Sequence, residues 1–267
     1  MNQIVESLQK GENITILSSQ KHQQHQRQQQ RQDSLGLVVG VTLPNGKHFV
    51  VKMMKPSIRQ SQKGIMTQSF ENERTMNQKI KQDDRYKDLR PFLPTFYGYK
   101  EKVRCTIHIR GKPKVYEGPI LVYERLGPNL AESLRKDPRW QNPENVQQLF
   151  LRLKAIMKAL GKSKLCHGDI RVENFILPLS GNIGEIKLFD LDAAEELNDN
   201  DPNSYSQDYL QEPVIQTQVV EQNGQYKEIT TQRLRTQQQK DLMRLCPKDA
   251  INFRSITQQF SNKFKSP

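Results

Sequence analysis

An α+β fold in two parts is what this sequence of 267 residues predicts, and three observations predict it. Residues 36–53 hold two apolar, β-branched runs around Asn45-Gly46, the signature of a β-hairpin. Residues 142–161 repeat apolar side chains at threes and fours, the mark of an amphipathic helix. Beyond that helix, 167–177 (HGDIRVENFIL) and 186–192 (IKLFDLD) carry Asp169, Asn174 and Asp190 on loops between short apolar runs. The length suits one two-lobed domain or two small ones.

Composition narrows the classes. Hydrophobic residues are 34% of the chain, so the core is modest and part of the chain is expected to stay unpacked. The net charge of +12 would suit nucleic acid, an anionic membrane or an acidic partner. The basic residues are scattered, however, and aromatics are not interleaved with them. A basic solvated surface is expected, and no nucleic-acid partner. Cys105, Cys166 and Cys246 stand at no metal-ligand spacing, their number is odd, and 1–10 has no secretory pattern. They read as reduced thiols of an intracellular, cytoplasmic protein. No apolar run approaches the roughly 20 residues of a membrane helix.

In chain order, 1–19 is an N-terminal segment with a possible first strand in NITIL at 13–17. The glutamine tract at 20–34 has no periodicity and is expected to be a disordered loop. His22 and His25 lie in it without further ligands, so they are read as solvated. The hairpin strands follow, the second ending at Lys52. In 70–80 (FENERTMNQKI), Phe70, Met76 and Ile80 share a helical face. Residues 100–114 read as a basic hairpin-like insert and 119–126 as a buried strand. GPNLAESLRK at 127–136 opens a short helix. The amphipathic helix then has Asn142 to cap it, Pro143 in its first turn and Gly161 to end it. Its stripe runs through Val146, Leu149, Phe150, Leu153, Ile156, Met157 and Leu160, and holds the following loop. Strand-like stretches flank Asn223-Gly224 within 216–229.

Two carboxylates and a carboxamide on loops suit phosphoryl transfer with magnesium. One carboxylate orients a hydroxyl nucleophile, and the others hold metal on nucleotide phosphates. The same residues resemble the catalytic loop of eukaryotic-type protein kinases, with HGDIRVEN for HRDLKPEN and Asp190-Leu191-Asp192 for DFG. The resemblance spans roughly 35–245. It implies a two-lobed kinase-like fold, with a small antiparallel β N-lobe at 35–126, a hinge near 124–127 and a reduced, mainly helical C-lobe at 127–267. Its implied ligands are ATP and Mg2+.

By resemblance, Lys52 is the strand lysine that meets the α- and β-phosphates, and Glu73 is the helix glutamate that pairs with it. Glu71 competes, but Met76 and Ile80 follow Glu73 at three and seven and set it beside the buried stripe. Residues 91–99 resemble the fourth strand. Tyr123 stands at the gatekeeper position, the backbones of Glu124 and Leu126 meet the adenine, and Ile176 packs under it. Asp169 fits the catalytic base, Arg171 the residue that steadies the transferred phosphoryl group, and Asn174 and Asp190 the metal ligands. His167 is structural, Leu191 an apolar plug, and Asp241 in 240–245 the anchoring aspartate of a further helix.

Three departures stand out. The glutamine tract replaces the glycine-rich loop, with Gly36 and Gly40 inside the strand-like run. Gly168 replaces an arginine that receives a phosphorylated activation loop, so such switching is not expected. Only 26 residues follow Asp241 (267 − 241). The function implied is transfer of the γ-phosphate of ATP to Ser or Thr of a protein. The alternatives are a nucleotide-binding or scaffolding pseudokinase and a small-molecule kinase.

Overall fold

The structure, a computed structural model, describes residues 1–11, 14–17, 36–54, 60–109, 111–197, 206–210, 213–222, 225–234, 241–245 and 247–263. The expected disordered loop at 20–34 lies outside the described residues. The chain divides into two compact units, Met1–Gln82 with Pro94–Leu126, and Asp83–Leu93 with Gly127–Pro267. The fold is α+β, as expected: an antiparallel β unit, then a unit with more helix than strand.

In the first unit, α1 (Asn2–Lys10) precedes β1 (Ile14–Ile16), β2 (Gly36–Thr42) and β3 (His48–Met54). Then come α2 (Gln60–Gln82), β4 (Phe96–Ile109) and β5 (Lys112–Glu124). The strands form one sheet in the order β1-β2-β3-β5-β4, every pair antiparallel. The β2–β3 turn closes at Asn45-Gly46, where Gly46 has φ +79° and the Asn45 side chain accepts from the Lys47 N–H.

Strand alternation decides what each face of this sheet carries. Leu37, Val39, Val41, Val51, Met53, Val103, Cys105, Ile107, Ile120 and Val122 point to one face and pack with Ile4 and Leu8 of α1. Val50, Lys52, Leu121 and Tyr123 therefore point to the other. Register sets Val50 opposite Tyr123 and Lys52 opposite Leu121. Along α2 the buried positions are Met66, Phe70, Glu73, Met76, Asn77 and Ile80, a stripe at threes and fours that includes a carboxylate and an amide. The apolar spacing predicted this helix only from 70 to 80; it begins ten residues earlier, at Gln60.

In the second unit, α3 (Leu130–Lys136) is capped by Asn129 and α4 (Pro143–Lys162) by Asn142, each side chain accepting from a first-turn N–H. Gly161 does not end α4. It lies in the last turn, and the chain leaves through Lys164 at φ +53°. Next come β6 (Leu165–Cys166), β7 (Phe175–Ile176), β8 (Lys187–Leu188) and β9 (Glu195–Glu196), with β6 paired to β9 and β7 to β8. A long hairpin joins β11 (Pro213–Gln222) to β12 (Gln225–Leu234), while β10 (Ser206–Leu210) pairs with β13 (Asp241–Leu245). The helix expected at 240–245 is thus a strand, because every residue of 241–245 is claimed by a ladder with 206–210. The helix comes later, as α5 (Pro247–Lys263).

The cysteine expectation is also corrected. Cys105 is a free, buried thiol, but Cys166 is disulfide-bonded. Which sulfurs come within bonding distance is set by the fold, and sequence spacing carries no trace of it. Among the described residues, no helix is long and apolar enough to cross a membrane.

Candidate active site

In the first unit, the face of the sheet opposite α1 holds a buried polar cluster. Lys52 Nζ donates to Glu73 Oε2 at 2.5 Å, and the two side chains are 9% and 1% exposed. Burying a charge is costly unless it is paired, so each partner requires the other. The other carboxylate oxygen, Glu73 Oε1, accepts from the Tyr123 hydroxyl at 2.7 Å. Asn77 Nδ2 donates to that hydroxyl at 3.0 Å and to the Glu73 carbonyl at 2.8 Å. Glu71 instead bonds to Arg74, on the less buried side of the helix.

At the end of β5, the Glu124 N–H donates to the Thr95 carbonyl at 3.0 Å, and the Glu124 carboxylate accepts from the Thr95 N–H at 2.8 Å. Leu126 is buried. Arg125 lies close over Gly40 of β2, where an added Cβ would come within 2.6 Å of its Nη1.

In the second unit, α4 leads through β6 into the loop of residues 167–174. The loop bends at Gly168, whose φ of +78° is a left-handed conformation that favours glycine. A Cβ there would lie 2.4 Å from the Ala193 carbonyl oxygen. Asp169 follows. Asn174 Nδ2 donates to the Asp169 carbonyl at 2.8 Å and to its Oδ2 at 2.9 Å. Arg171 Nε reaches the same Oδ2 at 3.1 Å. With its nitrogen committed to Asp169, Asn174 is left with its amide oxygen as the atom able to meet a cation.

The β7–β8 ladder fixes where Asn174 and Asp190 stand. Phe175 pairs with Leu188 and Ile176 with Lys187, and the Phe189 N–H donates to the Asn174 carbonyl at 2.8 Å. Asn174 therefore immediately precedes one strand and Asp190 follows the other. Asp190 itself has φ +76°, a conformation uncommon outside glycine and one that clusters at functional sites. Leu191 is buried behind it. Ile176 is half-buried and bridges to Asn129.

His167 and Asp249 hold this loop from below. His167 is fully buried; its Nδ1 accepts from the Asp169 N–H at 3.3 Å, so Nε2 carries the proton and donates to the Phe189 carbonyl at 3.1 Å. One ring thereby ties the Asp169 loop to the residue before Asp190. Burial holds its pKa below the ordinary imidazole value, which keeps it neutral. Asp249, in the first turn of α5, accepts from the His167 N–H at 2.6 Å and the Gly168 N–H at 2.8 Å. Burial pushes its carboxyl above the usual range, against the pull of those two donors.

The sequence offered Asp241 as the anchoring aspartate; Asp249 takes that place. A signal for it existed. Asp249 precedes Phe253, Ile256 and Phe260 at spacings of four, three and four, so a carboxylate stands in line with a buried apolar stripe. Asn77 and the Tyr123 hydroxyl were missed as well; Asn77 follows Glu73 by one helical turn, but no local signal points to Tyr123.

No family model matches the chain, and no curated protein matches it. Among solved structures it is similar to a kinase domain of known crystal structure, at 20% identity and a TM-score of 0.45. That likeness covers 64% of this chain and 50% of the other, so the chain spans about half the length of the protein it matches.

Proposed function

We propose that the chain is an ATP-dependent phosphotransferase of the eukaryotic protein-kinase type, acting on Ser or Thr of a protein. The observation that carries this reading is the Asp169 loop: a carboxylate oriented by Asn174 and Arg171, with one amide oxygen left for a metal. In the reaction, the bond from the γ-phosphorus to its bridging oxygen breaks and a bond from the acceptor hydroxyl forms. Asp169 orients that hydroxyl and takes its proton. Arg171 steadies the charge on the moving phosphoryl group. Lys52, held by Glu73, steadies the α- and β-phosphates, while the backbones of Glu124 and Leu126 meet the adenine and Ile176 packs under it.

The donor set fits magnesium. Asn174 and Asp190 offer hard oxygen atoms, as that ion prefers. Among the described residues no group of three or more His, Cys, Asp or Glu could hold a metal by itself. A magnesium ion would be held by Asn174 and Asp190 and would draw its remaining ligands from substrate phosphates and water, the ordinary habit of the ion. When bound, it neutralises charge on the phosphates.

A second reading, a nucleotide-binding scaffold without transfer, has one observation in its favour. Gly36 and Gly40 are paired in β2 with Met54 and Val50, so they serve the sheet. One experiment separates the readings: magnesium-dependent transfer from ATP to a Ser/Thr peptide library and a small-molecule panel, with Mg-ATP affinity measured by calorimetry. Asp169→Asn is expected to lower turnover by about 10²–10⁴ while nucleotide binding holds. Asp190→Asn is expected to weaken both. Binding without transfer to any acceptor would establish the scaffold reading, and transfer to the small-molecule panel alone would move the acceptor class.

A further inference from the structure

We propose that Tyr123 is a positioning residue, one that keeps Glu73 paired with Lys52 through its hydroxyl, with Asn77 orienting that hydroxyl. The proposal rests on the phosphotransferase reading for its consequence, but the tie is a feature of the first unit by itself. Lys52, Glu73, Asn77 and Tyr123 are all buried, at 7%, 1%, 6% and 2% exposure. The sheet register makes the tie possible. Tyr123 stands opposite Val50, two residues from Lys52 on the same face, so lysine and tyrosine approach Glu73 from neighbouring strands. Lys52 takes one carboxylate oxygen at 2.5 Å and the tyrosine hydroxyl takes the other at 2.7 Å.

Donor accounting gives the tie a direction. The hydroxyl has one proton, and the Glu73 carboxylate can only accept, so the tyrosine donates to it. Asn77 then fills the hydroxyl's acceptor side at 3.0 Å with its amide N–H, and no alternative donation direction remains. The same Nδ2 donates to the Glu73 carbonyl one helical turn earlier, which fixes the amide. A hydrogen bond to a buried carboxylate is among the stronger kinds, and one with its donor pre-oriented loses little freedom on forming. The tyrosine ring is itself packed, at 5.4 Å between centroids from Phe96. The carboxylate is thus held at both oxygens by groups of the same compact unit, with no phosphate or partner chain required.

The test uses Tyr123→Phe, which removes only the hydroxyl, in the full chain. Trace acetylation read by mass spectrometry reports how tightly Lys52 is held, independently of catalysis. In Tyr123→Phe, labelling of Lys52 is expected to rise several-fold relative to exposed Lys112 and Lys114, while turnover falls about tenfold. Asn77→Ala is expected to shift both in the same direction by less. Combined with Tyr123→Phe it should add almost nothing, because it acts through the same hydroxyl. Should Phe at 123 prevent folding, Asn77→Ala alone tests the tie from its other end.

Unchanged Lys52 labelling in Tyr123→Phe would overturn the tie, whatever wild type does with ATP. Increased labelling with wild-type turnover would overturn the positioning role. No transfer by wild type, with the labelling difference present, would remove the phosphotransferase reading and support the tie alone.

Discussion

Gly168→Ala adds one methyl group at the bend of the loop before Asp169. The backbone there has φ +78°, and an alanine in the left-handed region costs roughly 1–2 kcal/mol. The new Cβ would lie 2.4 Å from the Ala193 carbonyl oxygen, 3.1 Å from its Cβ and 3.2 Å from its carbonyl carbon. The nearest contact is backbone, not a flexible side-chain end, so relief requires moving the turn in which the Ala194 N–H donates to the Leu191 carbonyl. Overpacking of that kind adds about 1–3 kcal/mol. The expected loss is the sum, about 2–5 kcal/mol, measured by urea titration. Gly46→Ala is the control. Its φ of +79° is the same but nothing lies within 4 Å of the added Cβ, so it carries the backbone strain without the collision. If Gly168→Ala loses no more stability than Gly46→Ala, the steric reasoning fails. The same reasoning explains HGD in this chain: an arginine at 168 meets the Ala193 carbonyl before its charge matters.

Gly64→Ala is expected to raise stability by about 0.5–1 kcal/mol, because Gly64 is inside α2 with open space around it; a lower urea midpoint would show that α2 needs the glycine. Asp249→Asn keeps the shape but faces one backbone N–H with a donor. It should lower unfolding free energy by about 1–3 kcal/mol, offset in part by removing a buried charge; an unchanged midpoint would end its anchoring role. The lowered pKa of His167 means that the unfolded chain binds the proton more readily. Its contribution to stability is complete above about pH 6.5 and drops as pH falls below that value, with a slope of up to about 1.4 kcal/mol per pH unit. Urea midpoints taken across that range are expected to show this slope, and His167→Gln to flatten it; identical profiles would refute it. Burial pushes the Cys105 thiol up to about 11, so iodoacetamide near pH 8 should leave it unmodified until denaturant is added; rapid alkylation of the folded chain would contradict its burial.

Much of the fold was legible where the signal is local. Asn45-Gly46 specified a turn, the threes and fours of 142–161 specified α4, and the strand-like stretches around Asn223-Gly224 became β11 and β12. The loop residues Asp169, Arg171 and Asn174 were named together and are found in contact. Glu73 was preferred over Glu71 on helical spacing, and it is Glu73 that meets Lys52. Misses arose where a distant segment competes for the same residues. KDLMRL has a reasonable helical composition, but 206–210 supplies a ladder partner for Asp241–Leu245, and helix gives way to strand.

What the sequence alone determined is the elements with a local signal, such as the β2–β3 turn and α4, and the residue types able to do chemistry, because caps, turns and apolar periods are fixed by neighbours within one or two helical turns. Only the tertiary structure decided which aspartate anchors the loop, that Cys166 is oxidised, and that Tyr123 and Asn77 share Glu73 with Lys52. The pairs Lys52–Glu73, Tyr123–Glu73 and His167–Asp249 join residues 21, 50 and 82 positions apart. A hydrogen bond or disulfide is decided by tenths of an ångström between atoms that the whole fold brings together, and such distances leave no periodic mark in the chain.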